Sequence, residues 1–491
     1  MSIRFVVLIV GLLTSALTHA AADPGRPNIL LILADDAGYA DFGFQGSRNF
    51  RTPNLDALAE QGMRFEQAYV TAAVCGPSRA GLLTGKYQQR FGYEENNVPG
   101  YMSASGTTGD DMGLPLDELT IGDHLRSLGY ETVFIGKWHQ GNADRFHPLK
   151  RGFDAFYGIR GGARSYFPFD ENNVNYRPED YLERDLGRFE ESDSYLTDAL
   201  ADEAIDRIRA EREQPLFMFL SLTAVHTPMD ALAEDLDAFP DLEGDRRTLA
   251  AMTLSMDRAI GRVLDALDEE QVAENTIVVF TNDNGGPSDA NASDNSPLSG
   301  TKANHLEGGI RVPFLIRWPG VIAKDTVYTH PISTLDLLPT MYAAARGEPG
   351  KLDGIDGVNI RPFLTNDDAG RPHHTLYWKK EVRAAIRDGD WKLLRFPDRP
   401  AELYDISVDA AETNNLAGEY PERVANLYRK LFEWELTLER PRWQLQRKYE
   451  GDAMKRMDNY RRINDNRGTD NEKLLVNPDG SCDRECDRQS E

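Results

Sequence analysis

Four apolar segments of this 491-residue chain end in residues of the kinds that bind metals or transfer protons. The segments are Asn28–Ala34 before Asp35 and Asp36, Glu131–Gly136 before Lys137 and His139, Leu216–Leu222 before His226, and Thr276–Thr281 before Asn282, Asp283 and Asn284. Continuous apolar runs of this length are typical of strands buried on both faces of a parallel sheet. In such sheets, ligands bind beyond the carboxyl ends of the strands. We therefore predict an α/β fold with one site at this edge.

The chain is predicted to hold a large, mostly parallel sheet sandwiched by helices and a smaller C-terminal α+β subdomain. Helical patterns at 194–212 and 247–269 supply the crossover connections. After residue 365, short segments joined by a tight turn at Asp388 and Gly389 predict an antiparallel sheet. Its predicted strands are Thr375–Lys379, Arg383–Arg387 and Trp391–Phe396, and an amphipathic helix is predicted at Glu422–Leu438. The catalytic domain is placed at 23–365 and the subdomain at 366–491.

Residues 1–22 have the pattern of a cleavable secretory signal. Arg4 precedes the apolar run Phe5–Leu13, and small residues follow at Ala16 and at 20–22. The apolar run is shorter than the roughly 20 residues that span a bilayer. We expect a periplasmic or secreted protein with no membrane span. The net charge of −25 argues against nucleic acid as a partner, because phosphate binding needs a basic surface.

Asp35, Asp36, Asp283 and Asn284 form a set of oxygen ligands. Hard divalent cations prefer such ligands, and the chain lacks a Cys/His cluster with zinc spacing. Adjacent carboxylates also occur as solvated loop residues. Their position directly after buried strands favours a calcium or magnesium site, since buried carboxylates need a cation or a proton.

Cys75 begins the motif Cys75-Gly76-Pro77-Ser78-Arg79. Pro77 suits the first position of a helix, which places Cys75 at or just before a helix N-terminus, where negative charge is favoured. By this local reasoning Cys75 is a candidate thiolate nucleophile. The alternative is a buried and inert cysteine.

Two lysines and two histidines complete the predicted site. Lys137 and His139 are two residues apart, so on an extended strand end both side chains point to one face. His226 is a second acid/base candidate, and a loop returning from Asn284 would bring Lys302 over the site. Cation ligands, two lysines, two histidines and a nucleophile together predict hydrolysis of an anionic ester.

From about Asn28 to the mid-400s the sequence resembles the formylglycine-dependent sulfatases of the alkaline-phosphatase-like superfamily. The matching motifs are Asp35-Asp36-Ala-Gly-Tyr39, Cys75-Gly-Pro-Ser-Arg79, Gly136-Lys-Trp-His139, Asp283-Asn-Gly-Gly286 and the stretch from Lys302 to Pro313. The resemblance implies that a maturation enzyme converts Cys75 to Cα-formylglycine. A hydroxyl of the aldehyde hydrate would then replace the thiolate as nucleophile.

The resemblance also implies a role for each site residue. Calcium would be held by Asp35, Asp36, Cys75, Asp283 and Asn284. Arg79 would steady the hydrate, while Lys137 and Lys302 would hold the sulfate oxygens. His226 would protonate the departing alcohol, and His139 would take the proton of the second hydroxyl to expel sulfate. Gln140 and Leu306 depart from the common family pattern and were expected to bear on the substrate pocket.

Export combined with this chemistry predicts a sulfated carbohydrate as the substrate. Arg160, Arg164 and His305 are candidate substrate contacts. Residues 440–467 contain nine Lys/Arg and four acidic residues, a local balance of +5. This basic segment either contacts a polyanionic glycan or pairs with the acidic body.

Two other functions stay open at this point: a phosphonate or phosphate ester hydrolase of the same superfamily, and a non-catalytic glycan-binding relative. Cys482 and Cys486 in the polar tail could form a short disulfide in an oxidising compartment.

Overall fold

A computed structural model describes residues 26–97, 102–103, 109–169, 181–346, 352–365, 367–446, 451 and 454–459. The strands are β1 (Asn28–Ala34), β2 (Met63–Phe65), β3 (Ala68–Tyr69), β4 (Glu131–Lys137), β5 (Ala155–Ile159), β6 (Leu182–Arg184), β7 (Arg188–Glu190), β8 (Leu216–Ser221), β9 (Thr276–Asn282), β10 (Arg311–Val312), β11 (Phe314–Arg317), β12 (Thr326–Tyr328), β13 (Ile332–Ser333), β14 (Thr375–Lys380), β15 (Arg383–Asp388), β16 (Trp391–Arg395) and β17 (Glu402–Asp405). The α-helices are α1 (Pro53–Gln61), α2 (Cys75–Thr84), α3 (Ile121–Ser127), α4 (Leu196–Arg209), α5 (Ala233–Leu236), α6 (Gly244–Glu269), α7 (Glu307–Ile310), α8 (Leu337–Arg346), α9 (Arg361–Leu364) and α10 (Pro421–Glu435). The predicted signal at 1–22 and the two tail cysteines lie outside the described residues.

A ten-stranded sheet forms the centre of the fold, in the order β12-β2-β11-β9-β1-β8-β4-β5-β6-β7. Its middle five strands, β9-β1-β8-β4-β5, are parallel. Antiparallel pairs attach β11 to β9 on one side and β6 to β5 on the other. The four predicted apolar segments are four of the five parallel strands, which confirms the predicted fold class.

Helices cover both faces of the sheet because alternate residues of β1 pack in opposite directions. Leu30 and Ile32 join a core with α4 and α6, to which Ile260 contributes. Ile29 and Leu31 join a second core with α2, α3 and α8. Burial on both faces explains why this strand is apolar throughout and ends abruptly at Asp35.

The C-terminal sheet is antiparallel, in the order β14-β15-β16-β17. Its first three strands match the predicted ones, while β17 was not predicted. The turn lies one residue later than expected: Asp388 still pairs with Trp391, and Gly389 turns the chain with a φ of +62°. The helix predicted at Glu422–Leu438 is α10.

The smaller sheet docks on the main domain through apolar packing and one buried ion network. Trp378 of β14 packs with Tyr69 of β3 in a shared cluster. Lys392 of β16 has a fully buried side chain and lies 2.8 Å from a carboxylate oxygen of both Glu307 and Glu412. Burial raises the pKa of Glu412 to about 7, with Glu307 adding to the rise and Lys392 opposing it. The network connects the smaller sheet to α7, five residues beyond Lys302.

No helix among the described residues is long and apolar enough to cross a membrane.

Replacing Lys392 with Met should destabilise the protein, because it leaves two buried carboxylates without their shared cation. We expect the free energy of unfolding to fall by about 3–5 kcal/mol, measured by urea denaturation. The matched control is Lys430→Met, which removes a 2.7 Å ion pair with Asp388 from a side chain that is 37% exposed. It should cost less than about 1 kcal/mol. Equal losses in the two variants would contradict the assignment of Lys392 as a docking residue.

Candidate active site

The carboxyl ends of β1 and β9 bring the predicted acidic residues together. The two strands are parallel neighbours, and Ala34 is in register with Asn282. Asp36 follows with a φ of +60°, and its backbone N–H lies 3.4 Å from Oδ1 of Asp283. Nδ2 of Asn284 donates to Oδ1 of Asp36 at 2.7 Å. The site is therefore built by the strand ends themselves.

Arg79 joins the ends of four adjacent strands. From α2, its Nε donates to Asp283 at 2.9 Å and its Nη2 to Asp35 at 3.2 Å. Its Nη1 donates to the carbonyl oxygen of Lys137 at 2.9 Å and to Oγ of Ser221 at 2.5 Å. These partners belong to the ends of β9, β1, β4 and β8, and the guanidinium is 2% exposed. Arg79 therefore holds this edge of the sheet together, and the role at the hydrate that the resemblance implies stays a prediction.

Cys75 is the first residue of α2 and is buried. Its Sγ lies 3.2 Å from Nζ of Lys302 and 3.7 Å from Oδ1 of Asp35. Burial raises the pKa of the Cys75 thiol well above its usual range, and the charges of Asp283 and Asp35 add to the rise. Burial and the two carboxylates therefore oppose the thiolate that the helix N-terminus favours. Pro77 occupies the third helical position, not the first.

One carboxylate oxygen of Asp36 contacts both a lysine and a histidine. Its Oδ2 lies 2.7 Å from Nζ of Lys302 and 3.4 Å from Nε2 of His226. Nδ1 of His226 lies 2.6 Å from the carbonyl oxygen of Thr227, so this nitrogen carries a proton. Lys137, which is also fully buried, pairs with Asp35. Burial acts to raise the pKa of Asp35, but Lys137, His226 and Arg79 outweigh it and hold the pKa below its usual range.

His139 reaches the same site by a different route from the one predicted. β4 ends at Lys137, and His139 has a left-handed backbone with a φ of +56°, so the argument from an extended strand does not apply. A Cβ at Gly162 would lie 2.9 Å from the imidazole, which shows how closely that loop supports the ring. Burial, then Lys137 and Arg79, lower the pKa of His139 well below its usual value. The ring is neutral and can accept a proton.

Two family models match this chain. One described as Sulfatase covers residues 27–347, and one described as N-sulphoglucosamine sulphohydrolase, C-terminal, covers residues 302–437. The chain belongs to the sulfatase family. Like other members of that family, it hydrolyses sulfate esters.

The sulfatase is similar to several characterised proteins over most of its length. The N-acetylgalactosamine-6-sulfatase of Homo sapiens is 34% identical over 363 residues, covering 70% of this chain and 67% of that protein. The steryl-sulfatase of Mus musculus is 32% identical over 456 residues, covering 77% and 72% respectively. The crystal structure of Ps i-CgsB in complex with k-i-k-neocarrahexaose has a TM-score of 0.79 and 34% identity, and covers 89% of this chain and 99% of that one. These likenesses confirm the predicted family and the alkaline-phosphatase-like fold.

The acidic residues of the sulfatase fit an oxygen-liganded cation. Asp35, Asp36 and Asp283 are buried, and Oδ1 of Asn284 is a buried acceptor that makes no hydrogen bond within the described chain. Burial, followed by the charge of Asp35, raises the pKa of Asp283 to about 6. A divalent cation would relieve this repulsion and take up the free oxygen. Ligand atoms of Asp35, Asp36, Cys75 and His226 also lie within 4.8 Å of one another, so His226 is close to the predicted ligands.

The three predicted substrate contacts have partners within the protein. The guanidinium of Arg160 pairs with Glu183, with Nε and Nη2 each 2.6 Å from a carboxylate oxygen, and its carbonyl oxygen accepts from the backbone N–H of His139 at 3.0 Å. Arg164 pairs with Glu191 at 2.8 Å and lies over the ring of Phe169. His305 is buried against the C-terminal sheet, where Arg383 and Lys392 join burial in lowering its pKa. Their assignment as substrate contacts stays a prediction.

Sequence reasoning missed residues that position the catalytic ones. Ser221, at the end of β8, donates to the carbonyl oxygen of Lys137 at 2.7 Å. Tyr166 donates from its hydroxyl to backbone oxygens of Thr223 and His226. Ser221 follows the same strand-end rule as Lys137 and was within reach of prediction. Nothing in the local pattern of Tyr166 indicates these contacts.

Gln140 and Leu306 are fully buried. Nε2 of Gln140 donates to the carbonyl oxygens of Gly76 and His139 at 2.9 and 2.8 Å. Gln140 thus connects the start of α2 to the segment that follows β4. That these two departures bear on the substrate pocket stays a prediction.

Adding calcium or magnesium to metal-free protein should raise its Tm, because a cation that binds only the folded state stabilises it. At a free concentration of 100 Kd the gain is about 2.7 kcal/mol. Differential scanning fluorimetry measures the shift, and a chelator should reverse it. Asn284→Leu should reduce the shift by removing one oxygen ligand. No shift with either ion in the parent protein would contradict the metal site.

Proposed function

We propose that this sulfatase is an exported enzyme that removes sulfate from a carbohydrate, using calcium and a formylglycine made from Cys75. The observation that carries the proposal is the convergence of Lys302 and the buried pair Lys137–Asp35 on the side chain of residue 75. The imidazoles of His139 and His226 complete the set. A non-catalytic glycan-binding protein has no need for this buried, charged arrangement, which is costly to build.

The residues of the site account for both calcium and a formylglycine at position 75. Asp35, Asp36, Asp283 and Asn284 would hold calcium beside residue 75. When present, calcium supplies positive charge next to the transferring sulfuryl group, and the hydrated formylglycine supplies a hydroxyl nucleophile. The neutral thiol of Cys75 is a poor nucleophile, which supports the need for this modification.

Lysine and histidine side chains of this protein would bind the sulfate and transfer the protons. Lys302 lies 3.2 Å from the Sγ of Cys75, so its ammonium can hold a sulfate oxygen delivered there, with Lys137 on the Asp35 side. Nδ1 of His226 donates its proton to the carbonyl oxygen of Thr227, so His226 must carry a second proton at Nε2, beside Oδ2 of Asp36, to act as the acid that protonates the departing alcohol. His139 has a buried Nδ1 without a hydrogen-bond partner in the described chain and a lowered pKa, as a proton acceptor requires.

Two similarities support a carbohydrate substrate. The structure similar over 99% of its own length holds a neocarrahexaose, and the human relative is named for N-acetylgalactosamine 6-sulfate. Sulfated algal galactans and N-acetylgalactosamine sulfates are therefore the first substrates to test. Export is proposed from the pattern of residues 1–22.

The decisive experiment is anion analysis of products after co-expression with a formylglycine-generating enzyme. The protein would receive sulfated galactans, their oligosaccharides and matching phosphate esters. We expect sulfate release from at least one glycan and complete loss in Cys75→Ala. Mass analysis of the peptide that carries residue 75 checks conversion. Release of phosphate alone would favour a phosphonate or phosphate ester hydrolase instead.

Replacing His226 with Ala should affect substrates according to their leaving groups. A sugar alcohol needs a proton to depart, whereas 4-nitrophenolate leaves without one. We expect kcat on a sugar sulfate to fall by about 10²–10⁴-fold, the usual contribution of general acid catalysis, and kcat on 4-nitrophenyl sulfate to fall much less. His139→Ala is the matched comparison and should slow both substrates. Equal loss on both substrates in His226→Ala would contradict its role as the acid.

A further inference from the structure

The helical segment 454–459 lies on the loop that runs from Asn284 to Lys302. Met454 and Met457 are buried in the same apolar cluster as Leu306, four residues after Lys302. Between them, Arg456 reaches Asp289 of the loop with a two-pronged ion pair: Nε to Oδ2 at 2.5 Å and Nη2 to Oδ1 at 2.6 Å. Residues 454–459 of the basic segment thus fold back onto the loop that leads to Lys302.

The loop around Asp289 borders the catalytic cluster. Two residues on, Nδ2 of Asn291 donates to the carbonyl oxygen of Asp36 at 3.0 Å. The backbone N–H of Ser288 donates to Thr301, the residue before Lys302, also at 3.0 Å. Arg456, which Asp289 holds, therefore lies at the rim that this loop forms beside the active site.

One edge of the Arg456 guanidinium is left for a ligand. The pair with Asp289 uses Nε and Nη2, and Nη1 makes no hydrogen bond within the described chain. The side chain is 34% exposed. Asp289 holds one edge of the guanidinium in a fixed orientation. Little side-chain entropy is therefore lost when an anion binds the other edge.

We propose that Arg456 binds a second sulfate group of a multiply sulfated oligosaccharide, distinct from the sulfate that is hydrolysed. This inference rests on the proposed carbohydrate sulfatase function. With a net charge of −25, the body of the protein repels a polyanion, so a cation at the rim is needed to admit one. The alternative is that the Arg456–Asp289 pair only docks the helical segment.

A comparison of two substrates separates these roles. Arg456→Ala and Arg456→Lys would be assayed on a multiply sulfated galactan oligosaccharide and on 4-nitrophenyl sulfate, which has one sulfate. The matched control is Arg399→Ala, which removes a similar fork on Asp458 of the same helical segment, with contacts of 2.7 and 2.9 Å. We expect Arg456→Ala to lower kcat/KM on the oligosaccharide by about tenfold or more, mainly through KM, since a hydrogen bond between charged groups is lost.

Turnover of 4-nitrophenyl sulfate should stay within about twofold in Arg456→Ala, and Arg399→Ala should change neither substrate. Arg456→Lys should retain part of the affinity. A loss that is equal on both substrates, or matched by Arg399→Ala, would overturn the proposal in favour of a docking role. If the parent enzyme cleaves 4-nitrophenyl sulfate but no sulfated glycan, the carbohydrate function itself fails and this assignment falls with it. If the parent cleaves the oligosaccharide and Arg456→Ala does so equally well, only the assignment of Arg456 fails.

Discussion

The site depends on one buried guanidinium. Arg79 projects from α2 and bonds to groups at the ends of β1, β4, β8 and β9. Parallel strands end side by side but leave their last carbonyl groups and side chains without partners in the sheet. A planar donor with five N–H bonds satisfies several of them at once, which a lysine ammonium at the same position would not do. Since Cys75 lies one helical turn before Arg79, the same contacts set the distance from residue 75 to the sheet edge.

Each of the three carboxylates in the site is paired with a lysine or an arginine. Asp35 faces Arg79 and Lys137, Asp36 faces Lys302, and Asp283 has the Nε of Arg79. A substrate sulfate that draws Lys137 and Lys302 towards itself weakens two of these pairs and leaves carboxylates exposed to each other. A divalent cation bound by the same carboxylates would offset their repulsion, so the metal would stabilise the site in addition to its role in catalysis. The need for both kinds of positive charge also explains why the oxygen ligands and the lysines lie within a few ångströms of one another.

Sequence reasoning located the site because burial leaves a simple pattern. A strand covered on both faces must be apolar, so polar residues directly after Ala34, Gly136 or Asn282 stand out. The same reasoning does not reveal partners that are distant in sequence. Arg160 and Arg164 were proposed as substrate contacts because their type suits sulfate, and in the structure Glu183 and Glu191 pair with them. No local feature indicates that pairing.

Backbone detail and burial account for the other differences. His139 arrives at the site through a left-handed residue, which the spacing from Lys137 does not reveal. The helix dipole at Cys75 is visible in the sequence, but the carboxylates that oppose it come from other strands. Gln140 stands out in the sequence because it departs from a family pattern, and in the structure its Nε2 donates to two backbone carbonyl oxygens. Local sequence thus predicts which residue types meet, and long-range packing decides which of their atoms remain available.

The two parts of the molecule contribute differently to the site. The ends of the parallel strands and the start of α2 hold the acidic residues, Lys137 and Cys75. The C-terminal sheet and the helical segment 454–459 instead support the loop that ends in Lys302 and α7, through Lys392 on Glu307 and Arg456 on Asp289. Most residues of the cluster are therefore held by the main sheet, whereas Lys302 and the neighbouring loop also depend on late parts of the chain. In such an arrangement, a change in the late segments can alter the border of the site without rebuilding the strand ends.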